Sequence, residues 1–164
     1  MATILLATDA DWLRTEVAAA LEGTHEIVGV RTGREVIGAI KAADPDLVLL
    51  DLQIGSMGGM AACMAIRLEE SGGRLARVPV VMLLDRAADV FLAQRCDADG
   101  WLVKPLDARR LRRAVAAVLA GGIYTEGIDV AGSDELPPLA DDSPDATPAG
   151  DDDSPAGAEV GAAS

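Results

Sequence analysis

Aromatic residues are almost missing from this chain: 164 residues include two Trp, one Tyr and one Phe. Leu, Val, Ile, Ala and Met must fill the core, and 50% of the chain is apolar, enough for a sizeable one. Histidine occurs once, at His25, with no second His and no Cys near it in sequence. It reads as a surface residue rather than a ligand or a base. The two cysteines, Cys63 and Cys96, lack metal-type spacing and read as reduced thiols of a cytosolic protein. No apolar run reaches the roughly 18 residues that a membrane span requires. The start, Met1-Ala2-Thr3-Ile4-Leu5-Leu6-Ala7-Thr8-Asp9, has no basic flank and is not read as a signal peptide.

Positive charge is also missing from one end. No Lys or Arg follows Arg113, while residues 121–164 hold 11 of the 27 acids. The formal net charge of −13 therefore belongs mainly to the end of the chain, and the first 120 residues carry 16 acids against 14 bases. A nearly neutral body argues against a general nucleic-acid binder. Five of the eight prolines also fall after residue 121. The expected organisation is a domain over 1–120 and an acidic Pro/Gly/Asp-rich tail over 121–164. Ile123, Tyr124, Ile128 and Val130 could add a turn or a short extended piece; beyond Ser133 too little surface could be buried to offset chain entropy, so disorder is expected there.

Within the body, apolar runs alternate with amphipathic stretches. Thr3–Ala7, Glu26–Val30, Leu47–Asp51, Val78–Leu84 and Gly100–Lys104 read as strands. Asp11 is placed to cap a helix whose shared face is Leu13, Val17, Ala20 and Leu21. Gly33–Ala43 reads as a second helix, stopped by Asp44-Pro45. Met60–Glu70 is expected to bury Met60, Met64 and Leu68, and Arg86–Arg95 to form a weak fourth helix. Asp107 caps a last helix to about Ala120. Leu111, Val115, Val118 and Leu119 take its inner arc, and Arg109, Arg110, Arg112 and Arg113 form a solvated face or, on a sharper reading, a basic docking surface for an acidic partner or the chain's own tail. Five alternations of strand and helix imply a doubly wound parallel sheet.

Parallel strands bring their carboxyl ends to one rim, where open α/β sheets bind ligands. Here that rim collects Thr8-Asp9, Asp51, Leu84-Asp85 and Lys104. Two carboxylates and backbone oxygens suit Mg²⁺. A lysine at the same point can pair with a phosphoryl oxygen, and a carboxylate there can become an aspartyl phosphate. Other enzyme chemistries lack their signatures. Gln53 replaces the second acid of an Asp-x-Asp phosphatase loop, the glycines at 55–59 do not give the dinucleotide fingerprint, and no Gly-Lys-Ser/Thr loop exists.

These features together resemble the receiver domain of bacterial response regulators, the CheY-like family, over residues 3 to about 120. The carriers are Asp9, the run Leu47-Val48-Leu49-Leu50-Asp51-Leu52-Gln53, the turn Gly55-Ser56-Met57-Gly58-Gly59, and Val103-Lys104-Pro105. The resemblance implies a five-stranded sheet of order 2-1-3-4-5, the flavodoxin-like order of which CheY is a standard example. It implies Asp51 as phosphoacceptor and Lys104 as its phosphoryl contact. Mg²⁺ would be held by Asp9, Asp51 and the backbone carbonyl of Gln53, more weakly than usual. Leu84 and Trp101 would stand at the switch positions. The departures are Thr8 for the family's first acid, Leu84 and Asp85 for its Thr or Ser and following small residue, Trp101 for Tyr or Phe, and Gly55 for proline.

A kept nucleophile with a damaged readout implies an atypical stand-alone receiver without DNA-binding output and without membrane insertion. It would act as a protein-docking module or accessory subunit, and not as an enzyme beyond self-phosphorylation and dephosphorylation of Asp51. In outline the chain is similar to the orphan receivers that accompany respiratory complex I in some bacteria. That partner would place it in the cytoplasm at the inner face of the membrane. The alternative is a conventional switch that accepts a phosphoryl group from a histidine kinase.

Overall fold

The computed structural model describes residues 1–126, and the expected tail disorder lies outside them. Five strands form one parallel sheet: β1 (Thr3–Ala7), β2 (Glu26–Val30), β3 (Leu47–Asp51), β4 (Val80–Leu84) and β5 (Gly100–Val103). Their order is β2-β1-β3-β4-β5. The expected fold class and strand order are therefore observed. Helices α1 (Asp11–Leu21) and α5 (Ala108–Leu119) cover one face. Helices α2 (Val36–Ala43), α3 (Gly59–Ser71) and α4 (Val90–Arg95) cover the other. Among the described residues, no helix is long and apolar enough to cross a membrane.

The continuous apolar runs follow from this double cover. Successive strand side chains point to opposite faces. Thus Leu47 and Leu49 join the core with α1 and α5, whereas Val48 and Leu50 join the core with α2, α3 and α4. Each is fully buried, so neither face of β3 has room for a polar residue before Asp51.

Four local expectations are corrected. Asp11 does not cap α1; the N-cap is Ala10, which has no capping side chain, and Asp11 pairs with Arg31 at 2.7 Å. The Gly33–Ala43 stretch begins as a 3₁₀ turn, Gly33–Glu35, with a Thr32–Glu35 capping box, and α2 starts only at Val36. On α3 the buried residues are Gly59, Ala62, Cys63 and Ile66, while Met64 and Leu68 are exposed. Gly59 sets this rotation: a Cβ there would lie 2.4 Å from the Asp51 carbonyl oxygen, so glycine alone lets the helix approach the strand. The residues in register with Gly59 then face the sheet; Met60 stays partly buried against that core, while Met64 and Leu68 turn outward.

The fourth correction concerns residue 120. Gly121, at φ 83°, ends α5 in the left-handed conformation, and Gly122 N–H donates to Ala117 O. The chain then folds back against β5. Trp101 N–H donates to Tyr124 O at 2.8 Å, and Tyr124 N–H donates to Asp99 O at 3.2 Å. A Cβ at Gly100 would lie 2.6 Å from Tyr124 O, so this glycine admits the returning strap. The body thus extends to Glu126, past the expected boundary.

Candidate functional site: the Asp51 rim

β3 delivers Asp51 to the carboxyl rim with only 2% of its surface exposed. A carboxylate so deeply placed needs its lone pairs satisfied, and three donors serve it. Lys104 Nζ donates to Oδ1 at 2.6 Å, Gln53 N–H donates to Oδ1 at 3.1 Å, and Thr8 Oγ1–H donates to Oδ2 at 2.7 Å. Lys104 follows β5 directly and is itself largely buried, and its ammonium also donates to Asp85 Oδ1 at 3.2 Å. The Trp12 ring lies over the same ammonium, 6.0 Å from centroid to Nζ, at the limit of cation–π attraction.

Asp9 is exposed at the same rim, where its Oδ2 accepts from Gly55 N–H at 3.2 Å. A proline at 55 has no N–H to give, and a Cβ at that position already comes within 2.9 Å of Asp9 Oδ2. The departure at Gly55 therefore has a local cause.

The donor set at this rim is chemically hard: two carboxylates with a neighbouring main-chain carbonyl. That count suits Mg²⁺, which takes one or two carboxylates and keeps several waters. Thr8 changes the terms. Instead of a second acid beside Asp9, it offers a fully buried hydroxyl that occupies one Asp51 oxygen and accepts from Ala10 N–H.

Leu84 and Trp101, the residues expected at switch positions, differ from this polar cluster. Leu84 is fully buried in the core and has no hydroxyl to follow an incoming oxygen. Trp101 is only 6% exposed, and its indole Nε1–H donates to Glu126 O at 2.7 Å. Glu126 is fixed in turn. Its carboxylate accepts from Arg110, from Tyr124 O–H at 3.0 Å and from Val103 N–H at 3.3 Å. Burial alone would raise the Glu126 pKa, but the bonds from Arg110, Tyr124 and Val103 bring it below the usual glutamate value. Burial first, then the bond to Glu126, raises the Tyr124 phenol.

Asp51, Lys104, Thr8 and Asp85 are thus linked by direct hydrogen bonds, with Asp9 on the same rim, while Leu84 and Trp101 are held in the core. Sequence reasoning missed three contributors. Thr8 was legible only as a lost acid. Trp12 was hidden among helix residues, although its place just after the β1 rim was a usable signal. Glu126 was assigned to the tail, although it is the only acid between Asp107 and Asp129.

The chain belongs to the response regulator receiver domain family, whose profile matches residues 4–116. It is 32% identical over 123 residues to the nitrate/nitrite response regulator protein NarL of Escherichia coli, covering 73% of this chain and 56% of that protein. It is also 32% identical over 137 residues to the transcriptional regulatory protein CseB of Streptomyces coelicolor, covering 78% and 56%. The chain therefore spans little more than half the length of these relatives. Its fold is similar to the chemotaxis response regulator CheY4 of Vibrio cholerae, with TM-score 0.65, 25% identity and coverage of 72% and 98%. It is similar also to a LuxR-family two-component response regulator from Aurantimonas, with TM-score 0.66, 23% identity and coverage of 76% and 89%.

Proposed function

We propose that this receiver works as a protein-docking module or accessory subunit of a larger assembly. The carrying observation is the bond from Trp101 to the Glu126 main chain, beside a Leu84 that lacks a hydroxyl. A phosphoryl group on Asp51 shifts an equilibrium only through contacts that differ between two states. Leu84 offers none, and Trp101 is already engaged. Respiratory complex I is one candidate assembly, on resemblance of outline alone. The setting would be cytoplasmic.

A second reading, the phosphorylation switch, is favoured by the 2.6 Å pair of Lys104 and Asp51. In that reading an Asp51 oxygen attacks the phosphorus of a histidine kinase's phosphohistidine as the nitrogen–phosphorus bond breaks. Lys104 leaves Asp51 to pair with the incoming phosphoryl oxygens, and Thr8 holds the remaining Asp51 oxygen in place. Asp9, Asp51 and the Gln53 carbonyl would hold Mg²⁺, which neutralises charge on the phosphoryl group.

Beryllofluoride with Mg²⁺ separates the two. Its binding should leave the amide spectrum around Leu84–Asp89 and Trp101 nearly unchanged in the isotope-labelled chain. Binding that moves those signals strongly would favour the switch.

A further inference from the structure

The sheet has two margins, and the chain treats them differently. At β5 the strap covers the edge: Tyr124 O accepts from Trp101 N–H, and the Glu126 carboxylate accepts from Val103 N–H. β2 forms the other margin and pairs only with β1. Glu26 N–H donates to Ala2 O, and Val30 O accepts from Thr8 N–H, so residues 26, 28 and 30 turn their main-chain groups inward. Main-chain direction alternates along a parallel strand, which leaves Ile27 and Gly29 facing out. Beyond them the outward amides are already taken: His25 N–H donates to Leu21 O, and Arg31 N–H donates to Glu35 Oε2 at 3.3 Å. The open stretch is therefore the N–H and C=O of Ile27 and of Gly29.

An open edge alone is ordinary in such a sheet; the side chain laid beside this one is not. Arg14 reaches from α1 to the margin and rests on Gly29, where any Cβ would displace its guanidinium. Its Nη1 is buried without an acceptor, and no carboxylate pairs with it among the described residues. A buried donor without an acceptor is costly, and a charged one more so. Gly29 is itself exposed, so the guanidinium lies where an incoming chain would pass. Strand side chains alternate between faces. Ile27 and Gly29 share the face of Arg14, while Val28 and Val30, half-buried, lie on the other.

We infer that β2 is a docking edge, and that it takes an extended segment of a partner protein as an added strand with an acidic side chain against Arg14. The inference rests on the docking reading above and names the surface that reading uses. Main-chain bonds to Ile27 and Gly29 hold the segment, and its alternate side chains select it. On the face of Arg14 a carboxylate supplies the missing acceptor. On the other face β-branched apolar residues pack beside Val28 and Val30. A second copy fits poorly. Two β2 edges paired about a two-fold axis would bring two Arg14 guanidinium groups to one face, and the one acid of β2, Glu26, lies on the other.

The probe is a peptide blocked at both ends, Thr-Val-Asp-Val-Thr, titrated into the isotope-labelled full chain, with Asn in place of Asp as its control. At about 1 mM peptide the Ile27 and Gly29 amide signals should shift and their hydrogen exchange should slow. The Asn peptide should bind about fivefold more weakly, and Arg14→Gln should bind the two alike. The comparison of the two peptides on the wild-type chain stands even if Arg14→Gln fails to fold. No shift at Ile27 and Gly29, or equal affinity for the two peptides, would overturn the assignment. So would Ile27 and Gly29 amides that already exchange slowly in the free chain, or that shift with protein concentration alone, because the edge is then covered by this chain itself. The docking reading is judged separately, by the beryllofluoride response at Leu84–Asp89 and Trp101.

Discussion

The two halves of the carboxyl rim have diverged in kind. Around β1 and β3, Asp51 is served by Lys104, Thr8 and Gln53, all polar and all directed at one carboxylate. Around β4 and β5, Leu84 is fully buried and Trp101 is tied to Glu126. The first half retains groups that can take part in a reaction. The second is held by packing and by a strap bonded to main chain. A receptive centre can therefore persist beside a fixed one, because the residues that hold an acid in place are not those that would report its state.

Removing Lys104 should disturb this contrast most. Lys104→Ala leaves the buried Asp51 without its cation, and a broken buried pair typically costs about 3 kcal/mol or more. Urea unfolding measures this. Lys104→Ala with Asp51→Asn should recover most of the loss, since no buried charge is left unpaired.

Breaking the strap comes next. Glu126→Ala removes the bonds to Arg110, Tyr124 and Val103, and charged hydrogen bonds of this sort contribute about 2 kcal/mol. If the strap is what fixes Trp101, this variant should let beryllofluoride move the Trp101 amide signal. No change in that signal would place the fixity in Leu84 and the core.

The strap should also loosen in acid. The folded Glu126 pKa is lowered from an ordinary 4.5. Its stabilisation is therefore full above that value and is lost as pH falls through the lowered folded one. In a Trp12→Phe background, Trp101 emission should shift to the red in this range and far-ultraviolet dichroism should stay constant. Glu126→Gln should abolish the shift.

The smallest expected effect sharpens the polar half. Thr8→Asp adds a carboxylate to the rim and should tighten Mg²⁺ binding about tenfold, or 1.4 kcal/mol. Trp12, 6.0 Å from Lys104 Nζ, provides the fluorescence signal. The same change places like charges together at Asp51, so the metal-free protein should lose stability.

Much of this was legible in the sequence. Unbroken apolar runs identified strands buried on both faces, and their terminal Asp9, Asp51 and Lys104 identified the rim. Met64 and Leu68 of α3 were misread, because helical spacing permits two faces and the close approach of Gly59 to the Asp51 carbonyl selects one. Thr8 was half legible. Its lack of charge is plain in the sequence, but its bond to Asp51 depends on the β1–β3 register, in which Ala7 pairs with Leu50. Glu126 was missed because one acid in a glycine-rich acidic stretch has no periodicity to mark it. Its role comes from a reversal at Gly121 and a missing side chain at Gly100.

That missing side chain at Gly100 has a consequence for where the chain can be cut. β5 is the last strand of the sheet, and its outward amides are open to strands of other molecules unless something covers them. Tyr124 forms a parallel bridge with Gly100 and takes the Trp101 amide. A truncation after residue 120 would keep all five strands and helices α1 to α5 but expose that margin for self-association. A truncation after residue 126 would leave it sealed.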